Sequence, residues 1–400
     1  MHEDPHQVRL EANRELHARP FPALNANCRL VHLCVRVSLE TGDHVRAWLK
    51  EKIKDFPDNF QGYWERPGPD SWVRVERHTE FMAITQVVPD GLNFSEVTDA
   101  QWINSAPQDV LVLARVSSSI GGEMPAEVEA VSIMLDGSVT AGSHFTQDNA
   151  GFSAWTVAFA KNPGDAAAGR LLQMLLEIET YRTLAVMGMD RIRAVNPVLQ
   201  RVANSLTKQT EENLDHDQMM RKLSSLSDQE TELHGVWERL AWRIGANKAY
   251  HDLVFERLGQ LKGEGLDGYV GIRHFLKRRL TPAVSTAETV MRRRSELAEQ
   301  VDARAQLLRT QLQLNLQSQT RDLLASLERS AVRQVRLQSA VEGLSTFAIA
   351  YYAVGLISPV LEPFLQPEHE GWVNASLPPA VIVIVWWTLS HLRNRFNTKS

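Results

Sequence analysis

Apolar residues recur at every second position in short runs between Cys28 and Ala160, and at helical spacing from about Ala166 onward. In "CRLVHLCVRVSL", Val31, Leu33, Val35 and Val37 fall on one side of a predicted strand. "DHVRAWLKEKI", Asp43 to Ile53, reads as a short amphipathic helix with an Asp cap. Further strands are predicted in Ser71–Val88, Asp109–Ser118, Val128–Leu135 and Phe152–Ala160, with turns at "ERPGPD", "PDG" and "LDGS". Strands mixed with short helices predict an α+β domain over residues 1–165.

After "KNPGD" a helical region is predicted over residues 166–280. "GRLLQMLLEIETYRTLAVM" places Leu172, Leu175, Leu176 and Tyr181 near one face. "LKGEGLDGYVG" breaks the region, and Pro282 is expected to start a long helix, where proline is tolerated. Along residues 281–342, Leu297, Val301, Ala305, Leu308, Leu312, Leu316, Leu323 and Leu327 repeat with an offset of eleven residues. That period favours a nearly straight stalk, roughly 110 Å long when continued through the next apolar run. A helical hairpin packed on itself satisfies the same pattern.

Gly343–Leu361 is uncharged, between Glu342 and Glu362. Gly371–Leu392 carries no formal charge apart from protonation of His391, and Trp386 and Trp387 lie near its charged end. Each run is long enough for a membrane span, which needs about 17–25 helical residues. Pro378 and Pro379 fall in the first turns of the second run. Arg329, Arg333 and Arg336 precede the first run, while Arg393, Arg395 and Lys399 follow the second in a basic tail over 393–400. The loop between them, "EPFLQPEHE" at 362–370, has no Lys or Arg. The basic bias predicts a membrane protein with both termini in the cytoplasm. The expected fold is thus an α+β cytoplasmic domain, long stalk helices and a two-helix transmembrane hairpin.

A net charge of −5 argues against a general nucleic-acid binder. The two cysteines, Cys28 and Cys34, do not make a disulfide scaffold, and a reduced setting is expected. "MHEDPHQVRLEANRELHARP" lacks the apolar core of a secretory signal. Phosphate-binding glycine loops, nucleophile elbows, zinc-protease helices and dinucleotide fingerprints are absent from the sequence, so neither an enzyme nor a cofactor is expected.

Ser345, Ala348, Tyr352, Gly355 and Pro359 share one helical face, with Ser358 beside it. Small and hydroxylated residues there suit close helix packing or a wet pore, with Tyr351 at a subunit interface. Glu362, Glu368 and Glu370 would form acidic rings in a symmetric oligomer, or simply a solvated loop. Cys28, His32 and Cys34 occupy one side of a strand, where they suit a metal or a helix-covered face. In "NRELHARPFP", Asn13, Glu15, His17 and Arg19 form a dense polar signature. Its favoured reading is a domain lock stiffened by Pro20 and Pro22; acid–base or anion chemistry is the other.

"NRELHARPFPAL", together with "LLEIETYRTLAVMG" and the C-terminal apolar runs, resembles an uncharacterised family of bacterial membrane-anchored proteins. The order of elements also resembles the CorA family of divalent-cation transporters. Those are homopentamers whose first span lines the pore and carries a Tyr-Gly-Met-Asn motif. Here the counterpart is Tyr352-Ala353-Val354-Gly355, in which only the tyrosine coincides. The resemblance implies a homo-oligomeric cation channel gated by its cytoplasmic domain. A membrane-anchored scaffold or interaction protein is the alternative, and an enzyme acting at the N-terminal signature is the third class.

Overall fold

The computed structural model describes residues 21–38, 40–60, 62–68, 71–97, 104–208, 214–361 and 370–397. The chain forms two compact units, Met1–Leu214 with Ser224–Arg304, and Asp215–Leu223 with Ala305–Ser400. The signature residues Asn13, Glu15, His17 and Arg19 lie outside the described residues, as do Glu362 and Glu368.

The first unit is built on a nine-stranded sheet in the order β2-β3-β4-β1-β5-β8-β7-β6-β9. The strands are β1 (Cys28–Arg36), β2 (Tyr63–Arg66), β3 (Val73–Arg77), β4 (Phe81–Val87), β5 (Val110–Ile120), β6 (Ala130–Met134), β7 (Val139–Gln147), β8 (Ser153–Phe159) and β9 (Glu264–Gly265). β5 and β8 pair in parallel, and the other ladders among the described residues are antiparallel. The sheet is mixed, and it takes in β9 from well beyond residue 165, where the sequence pattern had ended the domain. Ser71–Val88 resolves into the β3–β4 hairpin. β7, "VTAGSHFTQ", lacks a clear apolar alternation because it faces its neighbours with small residues. A Cβ at Gly142 would sit 2.8 Å from Val128 and 3.2 Å from Val131, so close packing selects glycine there.

β1 is central and covered on both faces. Leu33, Val35 and Val37 pack with Val45, Trp48 and Leu49 of helix α1 (Gly42–Lys52). The alternate residues Leu30 and Cys34 join the larger core formed with Leu172, Leu175 and Ile178. A strand buried on both faces reads as an almost unbroken apolar run, as "CRLVHLCVR" does.

The short helix α2 (Phe94–Val97) follows β4, and helix α3 (Asp165–Ala185) brings twelve buried residues to the core. Two short helices follow, α4 (Met189–Arg193) and α5 (Asn196–Lys208), and then the long helix α6 (His216–Leu261). Helix α7 spans Ile272–Leu361, so Pro282 lies within it rather than at its start. Tertiary contact sets the true start: the Ile272 N–H donates to Ser132 Oγ of β6 at 3.0 Å, satisfying an amide that a helix end leaves orphaned.

In the second unit Leu308 and Leu312 are buried, and residues 313–345 are exposed throughout. The last helix, α8, runs Glu370–Asn397 with Pro378 and Pro379 inside it.

The expected two-helix transmembrane hairpin is not found. Among the described residues one helix, Ile272–Val360, is long and apolar enough to cross a membrane by length and composition. The apolar stretch of α8 covers only Ala375–Thr388, about 21 Å at 1.5 Å per residue, short of a hydrocarbon core of about 30 Å. Gly371–Leu392 is uncharged but not uniformly apolar. Asn374, Ser376, Ser390 and His391 dilute it at both ends. With the hairpin goes the CorA-like architecture that depended on it.

The segment entering the first unit is fixed against α3. The Leu24 N–H donates to Asp165 O at 3.1 Å, and Arg170 lies 4.7 Å from the Phe21 ring centre. At Gly169 a Cβ would come within 1.8 Å of the Pro22 carbonyl oxygen. Gly169→Ala is therefore expected to lower stability by about 1–3 kcal/mol through overpacking. This outweighs the helix propensity gained, about 1 kcal/mol. Urea unfolding of the two proteins in the same detergent measures it; equal midpoints would remove the close approach from the account.

Candidate functional site

β3 presents a polar and aromatic series on one face. Trp72, Arg74, Glu76 and His78 alternate along it and line a cavity of about 340 Å³. The partner strands contribute Phe81, Ala83 and Thr85 from β4, and Leu30 and His32 from β1. Across the cavity, α3 supplies Gln173, Leu176, Glu177, Thr180 and Tyr181, whose spacings of three and four place them on one helical face. Arg257 and Gln260 of α6 close one side, and Phe21, Pro22 and Leu24 another. The described end of the N-terminal signature therefore walls the cavity.

A chain of hydrogen bonds runs along this lining. Trp72 Nε1 donates to Glu65 Oε1 at 2.6 Å, and Arg74 Nη2 to Glu65 Oε2 at 2.9 Å. Arg74 Nη1 donates to Gln173 Oε1 at 3.1 Å, and Gln173 Nε2 to Glu177 Oε1 at 2.9 Å. The other oxygen of Glu177 accepts from Arg257 Nε, and Arg257 Nη1 donates to Glu256 at 3.2 Å. Burial by itself raises the Glu65 carboxyl, but hydrogen bonds from Tyr63 and Trp72 and the Arg74 guanidinium hold it below the usual range. Burial raises the Tyr181 phenol, and the Glu177 charge adds to this, so Tyr181 stays a neutral donor.

His32 sits at the back of the cavity with both ring nitrogens engaged. Nδ1 is 2.8 Å from Thr85 Oγ1 and Nε2 is 2.9 Å from Thr180 Oγ1. Thr180 spends its only hydroxyl proton on Leu176 O at 2.9 Å, so it must accept from His32. That makes Nε2 the protonated nitrogen and Nδ1 the acceptor from Thr85. Burial, partly opposed by the Glu179 charge, lowers the imidazole to about 4. Cys34 Sγ is 3.2 Å from His32 Nε2, and burial pushes its thiol up to about 12, which removes thiolate character.

Cys28, His32 and Cys34 do share one side of β1, as expected, but Cys28 pairs with Ser118 at 3.4 Å while His32 binds threonines. No group of three or more His, Cys, Asp or Glu suited to a metal occurs among the described residues. Of the pore candidates, Ser345, Ala348, Tyr352 and Gly355 are exposed, Pro359 also, and Ser358 is half-buried. Glu370 opens α8. Sequence reasoning passed over Arg74, Glu76, Glu177 and Arg257. The available signal was "WVRVERH", whose two alternating series are Trp-Arg-Glu-His and Val-Val-Arg: a strand covered on both faces yet polar on one.

The arrangement defines an α+β unit with a polar, aromatic-walled cavity, joined in sequence to a long helix with an apolar segment. A family model described as "Protein of unknown function (DUF3422)" matches residues 4–396, and the chain belongs to that family. This accounts for the resemblance carried by the N-terminal signature and the α3 sequence; a relationship to the CorA family is not shown. No curated protein matches the chain.

His32 gives the unit a defined acid sensitivity. Unfolded, the imidazole takes up a proton below about pH 6.5, whereas in the fold it resists until about pH 4. Its contribution is full above pH 6.5 and is lost as pH falls across that window, by up to roughly 3 kcal/mol. His32→Gln keeps a neutral polar side chain, so its stability is expected to be flatter between pH 6.5 and 4. Parallel denaturation curves for the two proteins across that range would contradict the assignment.

Proposed function

We propose that the protein is a membrane-attached binding protein. The α+β unit takes a small polar molecule into the cavity between β3 and α3, and the apolar part of α7 holds the chain at a lipid bilayer. The cavity carries the reading: about 340 Å³ is at the lower end of small-molecule sites, and its lining combines aromatic walls with polar groups held in fixed positions. The membrane half rests on Leu344, Tyr351 and Leu356, which are 74%, 77% and 73% exposed in an uncharged segment. Arg329, Arg333 and Arg336 before that segment support a cytoplasmic position for the α+β unit at a bacterial inner membrane. No covalent chemistry is needed: Cys34 is a buried thiol and His32 is spent on structural hydrogen bonds.

Two charged residues should release the protein. Replacing Tyr351 and Leu356 together by arginine, each costing up to about 2.5–3.5 kcal/mol toward the middle of a span, is expected to move the chain from the alkali-resistant membrane pellet to the soluble fraction. Retention of the double variant in the pellet would refute attachment through this segment.

A conduction reading keeps one supporting observation, the exposed line of Ser345, Ala348, Tyr352 and Gly355. In a symmetric homo-oligomer that line would face an axis. Cation flux into protein-loaded vesicles that Gly355→Leu abolishes is the expected result. Ion-tight vesicles under every gradient would eliminate it.

A further inference from the structure

Beyond Leu312 the apolar face of α7 loses its cover, and its repeat changes. An offset of eleven from Leu323 and Leu327 lands on Gln334 and Gln338. Counting by seven instead joins Leu316, Leu323, Ser330, Leu337 and Leu344 in one row. Thr320, Leu327, Gln334 and Val341 form a second row, each four residues on. The two rows alternate at spacings of three and four, the seam of a left-handed coiled coil. It runs for about four heptads, roughly 42 Å at 1.5 Å per residue. The seam is exposed along this whole length with α8 in place.

Charge is kept away from the seam. Arg321, Asp322, Glu328, Arg329, Arg336 and Glu342 fall at outward positions, and only Arg333 flanks it. Flanking charges are what select a different partner, and Gln317, Gln319, Gln338 and Ala340 supply none. Gln334 interrupts the seam. In a parallel pair of identical helices it meets its own copy, where one amide donates to the other's carbonyl oxygen. Opposite a leucine or a lipid chain it would be buried unpaired. Thr320 already donates to Leu316 O at 2.8 Å, so its burial leaves no free donor. After Leu344 the two rows continue through Ala348, Tyr351 and Gly355, all exposed, inside the uncharged segment. Large apolar residues drive pairing in water, whereas small ones let helices approach closely in lipid. The seam passes from leucine toward small residues where α7 enters its uncharged segment. A partner that makes the same change at the same level is another α7.

We infer that α7 pairs in parallel with α7 of a second copy of this chain, along a seam from Leu316 to Gly355 with Gln334 matched to its own copy. The parallel sense rests on the membrane attachment proposed above, because chains that enter one bilayer by the same segment leave it in the same direction. The seam residues are exposed in the single chain, so replacing them probes the pairing without disturbing the chain's own fold.

The test uses the full chain, in native membranes and purified in detergent. Leu316→Cys, Leu323→Cys and Leu337→Cys, each alone, are expected to give disulfide-linked pairs of the chain on mild oxidation. Ser318→Cys and Ser339→Cys, on the outward face, are expected to give none above the unaltered chain, which carries Cys28 and Cys34. In detergent the chain is expected to have the mass of more than one copy. Leu323→Lys with Leu337→Lys is expected to reduce it to the mass of one, while the chain keeps its cooperative thermal transition. Equal cross-linking at Ser318 and Ser339, or a double lysine variant that keeps its mass, overturns the pairing. So does the absence of self-cross-links at the three leucine positions, which gives the seam to lipid or to a different chain. A single-copy mass together with retention in the alkali-resistant pellet overturns the pairing and leaves the attachment standing. Seam cross-links in a chain recovered from the soluble fraction overturn the attachment and leave the pairing standing.

Discussion

A single buried carboxylate sets the rotation of α3, and the cavity depends on that rotation. Glu179 is 1% exposed and accepts from Ser153 Oγ, from Trp155 Nε1 at 3.1 Å and from both Nε and Nη2 of Arg182. Ser153 and Trp155 belong to β8, so the bonds lock the helix to the sheet at one angle. Successive helical residues differ by about 100°, so this also fixes which residues face β1 and β3. Thr180, one position on, then meets His32, and Glu177 and Tyr181 meet the space in front of β3. A buried ion pair is weak evidence for stability, because desolvation offsets much of its attraction. Its value here is geometric: an apolar residue at 179 would pack but would not choose between neighbouring rotations.

Glu80 plays the matching part for α6. It accepts from Arg243 Nη1 and Nη2 and from Tyr250 Oη, and Asn247 Nδ2 donates to Met187 O at 3.1 Å. The turn between β3 and β4 is thereby fastened to α6, whose later residues Arg257 and Gln260 border the cavity. Elements far apart in sequence converge through charged side chains rather than through the apolar core alone. This is also why the cavity survives: its walls are held by directional bonds, and apolar collapse across it would leave Arg74 and Glu177 without solvent or ligand.

The apolar pattern made the strands and the covering helices legible, because period two and period 3.6 follow from backbone geometry. It located β1, β5 and β8, and it placed Cys28, His32 and Cys34 on one side. It did not reveal β7, where Ala141, Gly142 and Ser143 are small for steric reasons, nor the start of α7, which a serine on β6 determines. The site was half legible. Polar residues on one face of a strand that also carries a buried face are a visible anomaly in "WVRVERH". Pairing Arg74 with Gln173 and Arg257 with Glu177 requires the fold, since each bond joins residues about 80–100 positions apart and no local rule specifies it.

The eleven-residue stripe shows the same limit more sharply. Leu297, Val301, Ala305, Leu308 and Leu312 are buried, whereas Leu316, Leu323 and Leu327 on the same repeat are 53%, 60% and 56% exposed. Periodicity therefore identifies a face and says nothing of its partner, which changes partway along one helix. The absence of charge misleads in a similar way. It held for Gly371–Leu392, but burial in a bilayer depends on the free energy of every residue transferred, and Asn374 and His391 there oppose it. Gly343–Leu361 passes because its interruptions are Ser345, Thr346 and Ser358, and a serine or threonine in a helix can satisfy its hydroxyl on the carbonyl one turn back. Ser345 does so on Val341 at 2.9 Å and Thr346 on Glu342 at 2.8 Å. A hydroxyl already paired in this way costs less to transfer than a free amide or imidazole. Ser376 in the second run makes the same bond, on Trp372 O at 2.8 Å, so the two runs that look alike by charge separate on Asn374 and His391, whose amide and imidazole cost more to transfer.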